Sequence, residues 1–474
     1  MKIIIIGAGP AGLSCAFHLA KHGHNVEVYE ASNLIGGMAR SFDLWNQRVD
    51  LGPHRFFSKQ KEVNDFFIEL IKDDYTLVKR QTRIFYNNRY FDYPLKLGNV
   101  LKNLPFVTVI GILWHYFLQR LKPIKEPKNF EEWVTNRFGK KLFELFFKNY
   151  TEKLWGIKCS QIDADWAAQR IKNLSLFEAV KTAIVGNRGN KHKTLIDEFA
   201  YPNHGTGTIY ERAVDYIHAN GGNVFLNKPI KRVLLDENNT TAKGIELIDG
   251  TICYADSVVS TMPLTLLVKG LQAVPDAVSD AISKLYFRNT ILVYLEINQE
   301  FLFTDNWLYI HSPNVKHGRV TNFRNWSPHL NKDQKSTILC MEFWCFENDE
   351  IWNGDENNIS KTAQEEIYKI NLIPPSAQIL NTKIIKIPKC YPVYETGYQS
   401  NLNEIVTYLK TIKSLYPIGR YGAFKYNNQD HSILMGILAA NNIMGKTETD
   451  LWLINTDTEY HEKGKSMNKN DTLR

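Results

Sequence analysis

The first thirty residues predict a strand, a turn, a helix and a second strand, in that order. Residues 3–6 are all isoleucine, a continuous apolar run typical of a strand that is buried on both faces. Leu19 and Ala20 extend an apolar stripe at helical spacing, and Gly23 provides a helix end. Residues 26–29 form the next strand-like run. The chain therefore opens with the pattern of a βαβ unit in a parallel sheet.

Three further patterns organise the middle of the chain. Residues 83–95 alternate apolar and polar positions around the Asn-Asn pair at 87–88, which predicts a β-hairpin. Residues 130–171 contain an apolar stripe at helical spacing, followed by aromatic residues. Residues 285–297 form a long apolar run, which predicts a strand of a second domain.

A separate apolar stretch covers residues 106–118, and basic residues follow it. The stretch is too short to span a bilayer. We predict a helix that is buried in the protein. Shallow docking of residues 101–128 on a membrane surface remains the alternative.

Candidate chemistry begins in the turn after the first strand. Gly7, Gly9 and Gly12 have the G-x-G-x-x-G spacing, which permits a tight turn, close approach of the backbone to a pyrophosphate, and close helix–strand contact. Glu30 ends the second strand, where a carboxylate accepts the ribose hydroxyls of a dinucleotide. The glycine motif alone is a weak signal, but here it stands between a buried strand and a helix. A dinucleotide site is therefore predicted.

A second glycine pair distinguishes between the dinucleotides. Gly36 and Gly37 follow Glu30 closely, with Arg40 behind them. A plain NAD domain does not need this pair. In an FAD domain the chain must pass the cofactor a second time at close range, which glycine permits. We predict FAD, bound non-covalently, because no cysteine or histidine stands in a recognisable tether motif. The predicted contacts of this segment are Gly7, Gly9, Pro10, Ala11, Gly12, Glu30, Gly36, Gly37 and Arg40.

This opening resembles the FAD-binding segment of the amine oxidase, protoporphyrinogen oxidase and UDP-galactopyranose mutase superfamily. Residues 48–60 are similar to the G-P-H-x-F-H-T segment of the mutases, with matches at 52–54 and at 56. Phe57 stands where the mutases have a second histidine. The resemblance implies that His54 lies against the flavin. A hydrogen-bonded structural histidine remains the alternative.

Residues 130–171 resemble the mutase helix that carries nucleotide-stacking aromatic residues. The resemblance implies that Tyr150 and Trp155 flank a uracil or similar base. It also implies that Arg170 faces the flavin or the substrate. Without the resemblance, two aromatic residues after a helix are more often part of a core.

The segments after residue 200 resemble the return of the chain to the FAD domain and its crossover into the substrate domain. In this superfamily the residue near Ile230 pairs its backbone with adenine. The resemblance implies that Arg288, at the start of the strand in 285–297, faces a diphosphate. An edge salt bridge is an equal alternative for Arg288.

Residues 419–440 resemble the mutase motif that precedes the final helix. The resemblance implies that Arg420 holds a diphosphate with its planar guanidinium group and that Tyr426 hydrogen-bonds a phosphate or sugar. The small residues of the following helix are expected to let it approach the cofactor. The implied flavin contacts here are Gly419, Asn428, Gln429 and Asp430.

The predicted fold class is α/β, with a Rossmann-like FAD-binding domain, a helical region and a second, sheet-containing substrate domain. The FAD domain is predicted in three segments, and the predicted boundaries are 1–96 (first FAD segment), 97–199 (mainly helical substrate or cap region), 200–265 (second FAD segment), 266–385 (substrate sheet), 386–445 (C-terminal FAD segment) and 446–474 (peripheral tail).

Composition and charge restrict the class of protein and the cellular compartment that we expect. A hydrophobic content of 44% is that of a globular protein, and the net charge of +7 is spread along the chain without a nucleic-acid-binding stripe. The six cysteines show no CxxC spacing, and the opening is too short for a signal-peptide core, which favours a reducing, cytoplasmic setting. No metal site is predicted, and the sequence leaves the oligomeric state open.

The leading functional prediction is a flavoenzyme that resembles UDP-galactopyranose mutase and acts on a nucleotide-activated sugar in surface-polysaccharide biosynthesis. By that resemblance flavin N5 carries the reaction, NAD(P)H reduces the flavin, and Arg288, Arg420 and Tyr426 are the protein's catalytic candidates. The predicted substrate contacts are Tyr150, Trp155, Arg170, Arg288, Arg420 and Tyr426. One alternative is an oxidase or desaturase of an amine or apolar substrate, and another is a flavin-binding protein without turnover.

Overall fold

The computed structural model of the protein describes residues 1–93, 95, 97–164 and 198–455. Its strands are β1 Lys2–Ile6, β2 Asn25–Tyr29, β3 Ser41–Leu44, β4 Gln47–Asp50, β5 Tyr75–Lys79, β6 Thr82–Tyr86, β7 Arg89–Asp92, β8 Glu198–Pro202, β9 Asn223–Phe225, β10 Ile230–Leu235, β11 Ala242–Leu247, β12 Ile252–Tyr254, β13 Ser257–Ser260, β14 Phe287–Ile297, β15 Trp307–Ile310, β16 Arg319–Asn322, β17 Thr337–Cys345, β18 Ile379–Pro392 and β19 Leu415–Pro417.

Its α-helices are α1 Pro10–Lys21, α2 Lys61–Ile71, α3 Leu97–Asn103, α4 Phe106–Leu121, α5 Phe130–Phe138, α6 Lys140–Leu142, α7 Asn149–Trp155, α8 Thr208–Ala219, α9 Leu264–Lys269, α10 Asp276–Ser283, α11 Glu350–Asn353, α12 Glu356–Lys369, α13 Tyr398–Leu409, α14 Gly419–Gly422 and α15 Gln429–Ile443. A π-helix, Phe143–Lys148, joins α6 to α7.

A parallel five-stranded sheet, in the order β19-β13-β1-β2-β9, forms the predicted dinucleotide-binding domain. In β1 the central isoleucines are fully buried, because helices cover both faces of a parallel sheet. The register pairs Ile4 with Val258 of β13 and Ile3 with Val26 of β2. Strands from the start, middle and end of the chain thus build one Rossmann-like sheet, and the predicted fold class is confirmed.

The final helix α15 packs against α1 at very short range. A Cβ atom on Gly436 would lie 2.3 Å from the main-chain oxygen of Ala11 and 2.1 Å from Oγ of Ser14. The Ser14 hydroxyl also donates to the main-chain oxygen of Ile433 at 3.1 Å. Gly436 therefore allows close contact between the two helices. The small residues of this helix were predicted instead to let it approach the cofactor.

The second domain is built on a seven-stranded sheet in the order β18-β14-β17-β16-β15-β6-β7. All eleven residues of β14, which pairs with β18 and β17, are buried. The predicted hairpin is present as β6 and β7, and Asn87 and Asn88 take positive φ angles of 48° and 56°, as its tight turn requires.

Two predicted boundaries differ from the observed sheets. The hairpin β6–β7 pairs with β15 of the second sheet, although the prediction placed residues 1–96 in the FAD domain. Strand β18 continues along β14 to Pro392, past the predicted limit at residue 385. Sheet membership depends on long-range pairing, which local patterns do not record.

Helices α3 to α7 form a layer beside the second sheet. Within α4 only Ile112 is buried, and the other apolar side chains are wholly or partly exposed. The prediction that residues 106–118 form a buried helix is therefore wrong. None of the helices in the described part of the chain combines the length and apolar character needed to cross a membrane.

Candidate active site

Two glycine turns form a cradle at the carboxyl end of β1. Gly7 has a φ of 98°, and a Cβ atom on Gly12 would lie 2.0 Å from the main-chain oxygen of Gly7. The Gly36 amide donates to the main-chain oxygen of Ala8 at 2.8 Å, and a Cβ atom on Gly37 would lie 3.1 Å from Cα of Gly9. The two predicted glycine segments thus lie together with bare backbone between them, as a pyrophosphate requires.

Glu30 is held at the edge of this cradle. Its carboxylate accepts hydrogen bonds from the Ala8 amide at 2.8 Å and from the Ser32 amide at 2.9 Å. The Lys228 amide donates to the main-chain oxygen of Glu30, which brings the chain that leads into β10 alongside. Ile230 begins β10 two residues later. The residues predicted for the adenosine end of the cofactor therefore lie in one region.

The surroundings of Arg40 indicate whether the cradle fits a dinucleotide. It follows the Gly36–Gly37 turn directly, and a Cβ atom on Gly36 would lie 2.9 Å from Cα of Arg40. Its buried Nε has no hydrogen-bond partner among the residues that the structure describes. A buried cationic donor without a partner is costly, and a phosphate oxygen supplies the missing acceptor. The cradle therefore fits FAD.

The C-terminal segment closes the cradle from the other side. Gly419 has a φ of 82°, and a Cβ atom there would lie 3.0 Å from Cβ of Ala11. Pro10 occupies the first turn of α1, where its missing amide hydrogen costs nothing. Residues 419–422 thus rest on the start of α1, so the two ends of the chain meet at the predicted pyrophosphate site.

The side chains at the start of α15 mainly connect protein segments. The Gln429 amide donates to the main-chain oxygen of Arg55 at 2.8 Å and accepts from the Tyr210 hydroxyl at 2.9 Å. Asn428 is the N-cap, and Asp430 lies 3.5 Å from Nδ1 of His431. The flavin contacts predicted for Asn428, Gln429 and Asp430 stay predictions, and for Gln429 the structure shows a side chain that ties α15 to the loop around residue 54.

His54 is a neutral, hydrogen-bonded residue in this loop. Its Nε2 lies 3.0 Å from the main-chain oxygen of Leu51. Burial, and to a smaller extent the positive charges of Arg319 and Arg420, lower the pKa of His54 to about 4. Both guanidinium groups therefore act on the same histidine. Phe57, three residues later, remains the position at which this loop differs from the mutase pattern.

Arg420 lies beside two tyrosine rings, Tyr391 and Tyr426, which stack on each other with their centres 5.5 Å apart. Its Cζ is 4.7 Å from the centre of the Tyr391 ring and 4.5 Å from that of Tyr426. Nε donates to the main-chain oxygen of Cys390 at 2.9 Å, and Nη1 donates to that of Asn427 at 2.7 Å. Nη2 makes no hydrogen bond within the described chain, so this edge of the guanidinium group can meet a ligand.

Arg319, which was not among the predicted site residues, lies near the hydroxyl group of Tyr391. It forms a two-point ion pair with Glu342 of the adjacent strand, with Nη2 and Oε2 2.6 Å apart. Nη2 also lies 3.4 Å from the Tyr391 hydroxyl. A buried glutamate within the otherwise apolar run of β17 was the available signal, because such a charge requires a partner.

Tyr150 and Trp155 follow the π-helix, an irregularity often found at functional sites. The Tyr150 ring stacks on His311 at 4.6 Å with an interplanar angle of 13°. Trp155 is 1% exposed and contacts the rings of Tyr394 and Tyr426. Trp155 thus takes part in the core, as the alternative interpretation proposed, and the base-stacking role stays a prediction for both residues.

Arg288 lies at the end of α7, with its Nη1 3.4 Å from Oδ2 of Asp349, so the salt bridge named as its alternative role is present. Arg288 is 4% exposed and donates to the main-chain oxygen of Trp344 at 2.7 Å and to that of Lys153 at 3.2 Å. It therefore binds the end of α7, where carbonyl groups lack helical partners. The guanidinium group of Arg288 thus donates to main-chain oxygens within the protein. Its contact with a diphosphate stays a prediction. Arg170 lies outside the described residues.

Together, Tyr150, Arg319, Glu342, Tyr391, Arg420 and Tyr426 form what we call the arginine–tyrosine cluster. Two guanidinium groups and one carboxylate give it a net positive charge, since His54 is neutral. Gly52 connects it to the His54 loop, because a Cβ atom there would lie 3.7 Å from Oε1 of Glu342. The cluster suits an anionic ligand beside the cofactor cradle.

Known proteins share parts of this sequence. A probable UDP-galactopyranose mutase of Klebsiella pneumoniae is 30% identical over 171 residues, 34% of this chain and 43% of that protein. The match thus spans less than half of the mutase's length. The 15-cis-phytoene desaturase of Glycine max is 24% identical over 482 residues, 94% of this chain and 80% of that protein.

Solved structures share the whole fold. A crystal structure of reduced UDP-galactopyranose mutase matches with a TM-score of 0.84 and 24% identity, covering 96% of this chain and 98% of that one. A putative protoporphyrinogen oxidase from Exiguobacterium matches with a TM-score of 0.71 and 16% identity, covering 94% and 99%. At these identities the likeness shows the fold alone.

The family model for flavin containing amine oxidoreductases matches residues 10–370, which include the Gly36–Gly37 turn, Glu30 and Arg319. The cradle fits FAD on its own geometry, and the matching proteins are enzymes of the mutase, desaturase and oxidase types. The chain therefore belongs to the flavin-containing amine oxidoreductase family and is an FAD-dependent enzyme.

Proposed function

We propose that this enzyme acts on a nucleotide-activated sugar in the manner of UDP-galactopyranose mutases, in surface-polysaccharide biosynthesis. The observation that carries the proposal is the arginine–tyrosine cluster, in which Arg319 and Arg420 flank Tyr391 beside the cradle. A diphosphate needs cationic donors, and an arginine fork supplies them in a planar arrangement. Arg319 takes the place that the sequence analysis gave to Arg288.

The chain's own groups can bind and orient such a substrate. Arg420 offers Nη2 to a phosphate oxygen, while its bonds to Cys390 and Asn427 fix the direction of the guanidinium plane. The rings of Tyr391 and Tyr426 both lie against the guanidinium group. When bound, FAD supplies a flavin N5 able to act as a nucleophile when reduced or to accept hydride when oxidised. We propose NAD(P)H as the reductant for the mutase-type reaction.

Net oxidation of an apolar or amine substrate is the second candidate. It is favoured by the aromatic rings around Tyr150, which contacts Tyr309, His311 and Trp344. The similarity of this chain to a desaturase over 94% of its length also favours this candidate. The charge of the cluster distinguishes the two candidates, because a largely apolar substrate offers no acceptor to Arg420.

The proposal is tested by titrating UDP-galactose and a dTDP-sugar into the reduced holoenzyme, with flavin fluorescence as the readout. A charge-assisted bond is worth about 1.5–3 kcal/mol, so Arg420→Ala should bind the sugar nucleotide roughly ten- to a hundred-fold more weakly. Tyr426→Phe should weaken binding less. The flavin spectrum should stay nearly unchanged in both variants.

Arg324→Ala is the matched control. Arg324 also donates to two main-chain oxygens, those of Gln334 and Ser336, and to the Glu300 carboxylate, but it is not part of the cluster. It should bind the ligand as the wild type does. If the wild-type enzyme binds neither sugar nucleotide, or if Arg420→Ala binds equally well, the proposal fails and dehydrogenation of apolar or amine substrates becomes the function to assay.

A further inference from the structure

Helix α4 presents an apolar face to the solvent. Phe106 and Val107 are 76% and 80% exposed, and Ile110, Trp114, Phe117 and Leu121 recur at helical spacing on the same side with 51% to 62% exposure. We call these six residues the α4 apolar face. Single exposed apolar residues are common, but a continuous row of them marks a surface that contacts another apolar phase.

The opposite side of α4 is fixed to the protein. Ile112 is fully buried, and a Cβ atom on Gly139 would lie 2.7 Å from the amide nitrogen of Tyr116, so the backbones nearly touch. After the helix, the Asn136 amide group exchanges hydrogen bonds of 3.0 and 2.9 Å with the main chain of Ile124. The helix therefore cannot turn its apolar face inward without breaking these contacts.

Basic residues precede and follow the apolar face in the chain, mostly at the C-terminal end of α4. Residues 101–128 contain Lys102, Arg120, Lys122, Lys125 and Lys128, all exposed, against one acidic residue, Glu126. None of these five side chains forms an ion pair within the described part of the chain. An apolar face with a basic margin matches an anionic lipid surface, where acyl chains lie beneath negative headgroups.

We propose that the α4 apolar face docks on the surface of an anionic phospholipid bilayer. The helix has 16 residues and is about 24 Å long, shorter than a bilayer core of about 30 Å, so it lies in the interface without spanning it. Trp114 belongs to the residue type that favours this interface.

Docking would bring the candidate active site close to the membrane. Helix α4 contacts α5 and α6, and α6 continues through the π-helix into α7, which carries Tyr150. The inference does not depend on which substrate the enzyme uses. It concerns where the FAD-loaded protein resides.

The test is co-sedimentation of the FAD-loaded enzyme with vesicles of phosphatidylcholine containing about one third phosphatidylglycerol, and with vesicles of phosphatidylcholine alone. We expect binding to the anionic vesicles and at least tenfold weaker binding to the neutral ones. Trp114→Glu combined with Phe117→Glu should weaken binding to anionic vesicles at least tenfold. Lys122→Glu combined with Lys125→Glu should weaken it to a similar extent at low salt.

Phe301→Glu is the control, because Phe301 is 81% exposed but lies outside the α4 apolar face. It should bind vesicles as the wild type does, and all variants should keep the flavin spectrum. Absence of vesicle binding, whether because a second copy or another part of the chain covers the face, overturns the proposal. Equal binding by the wild type and the Trp114→Glu/Phe117→Glu variant overturns it as well.

Discussion

The substitution Gly9→Ala should weaken FAD binding without impairing folding. A Cβ atom there would lie 3.7 Å from Cα of Gly37, an ordinary contact distance, and within the described part of the chain no other atom beyond its sequence neighbours lies within 4 Å. The φ of Gly9 is −88°, which alanine also adopts. We therefore expect Gly9→Ala to fold normally. The same methyl group would occupy the space between the two glycine turns where the pyrophosphate passes, so FAD binding should suffer.

The expected loss follows from the cost of one extra methyl group in a closely packed contact, about 1–3 kcal/mol. This corresponds to FAD binding that is roughly five- to a hundred-and-fifty-fold weaker. The assay is fluorescence titration of the apoprotein with FAD, together with the thermal midpoint of the apoprotein. Gly98→Ala is the control, since a Cβ there would meet no atom within 4 Å among the described residues outside its own helical turn. A Gly9→Ala protein that retains wild-type FAD affinity would refute the cradle.

Two further substitutions test the core behind the site. Gly436→Ala should destabilise the protein by about 1–3 kcal/mol or more, because its Cβ would overlap Ser14 and Ala11 of α1, and thermal unfolding would measure the loss. Asp50 is fully buried, and burial raises its pKa from 3.8 to about 7, so the folded state retains a proton that the unfolded state releases. Relative to Asp50→Asn, the free energy of unfolding of the wild type should therefore fall by ~4 kcal/mol as the pH rises from about 4 to about 7. If the free energies of unfolding of the two proteins change in parallel over this pH range, the raised pKa of Asp50 is contradicted.

The cofactor cradle could be predicted because its requirements are local. Gly7, Gly9 and Gly12 encode a backbone path within six residues, and Glu30 follows at the end of the next strand. The structure confirms that these residues meet and that Gly37 lies against Gly9. Glycine spacing records a backbone constraint directly, whatever the distant parts of the chain do.

The substrate side could not be predicted to the same depth because it depends on pairing between distant segments. Arg288 and Arg319 both begin strands, and the sequence does not show that α7 supplies carbonyl partners to one of them. The register of β16 and β17 places Arg319 opposite Glu342, which a one-residue shift would abolish. For α4 the apolar composition was clear, but its outward orientation follows from packing against Gly139.

The Arg319–Glu342 pair provides the last prediction, because the carboxylate offsets the charge that a diphosphate would use. Glu342→Gln keeps the shape of the side chain and removes one negative charge from the arginine–tyrosine cluster. At a separation of roughly 8 Å and an effective dielectric constant of about 20, that charge is worth ~2 kcal/mol to a bound phosphate. Glu342→Gln should therefore bind a UDP-sugar about thirty-fold more tightly in the titration used for Arg420→Ala. The thermal midpoint should fall in the same variant, since Arg319 loses its buried partner. Unchanged or weaker sugar-nucleotide binding by a folded, FAD-loaded Glu342→Gln enzyme would show that the anion does not bind beside Arg319.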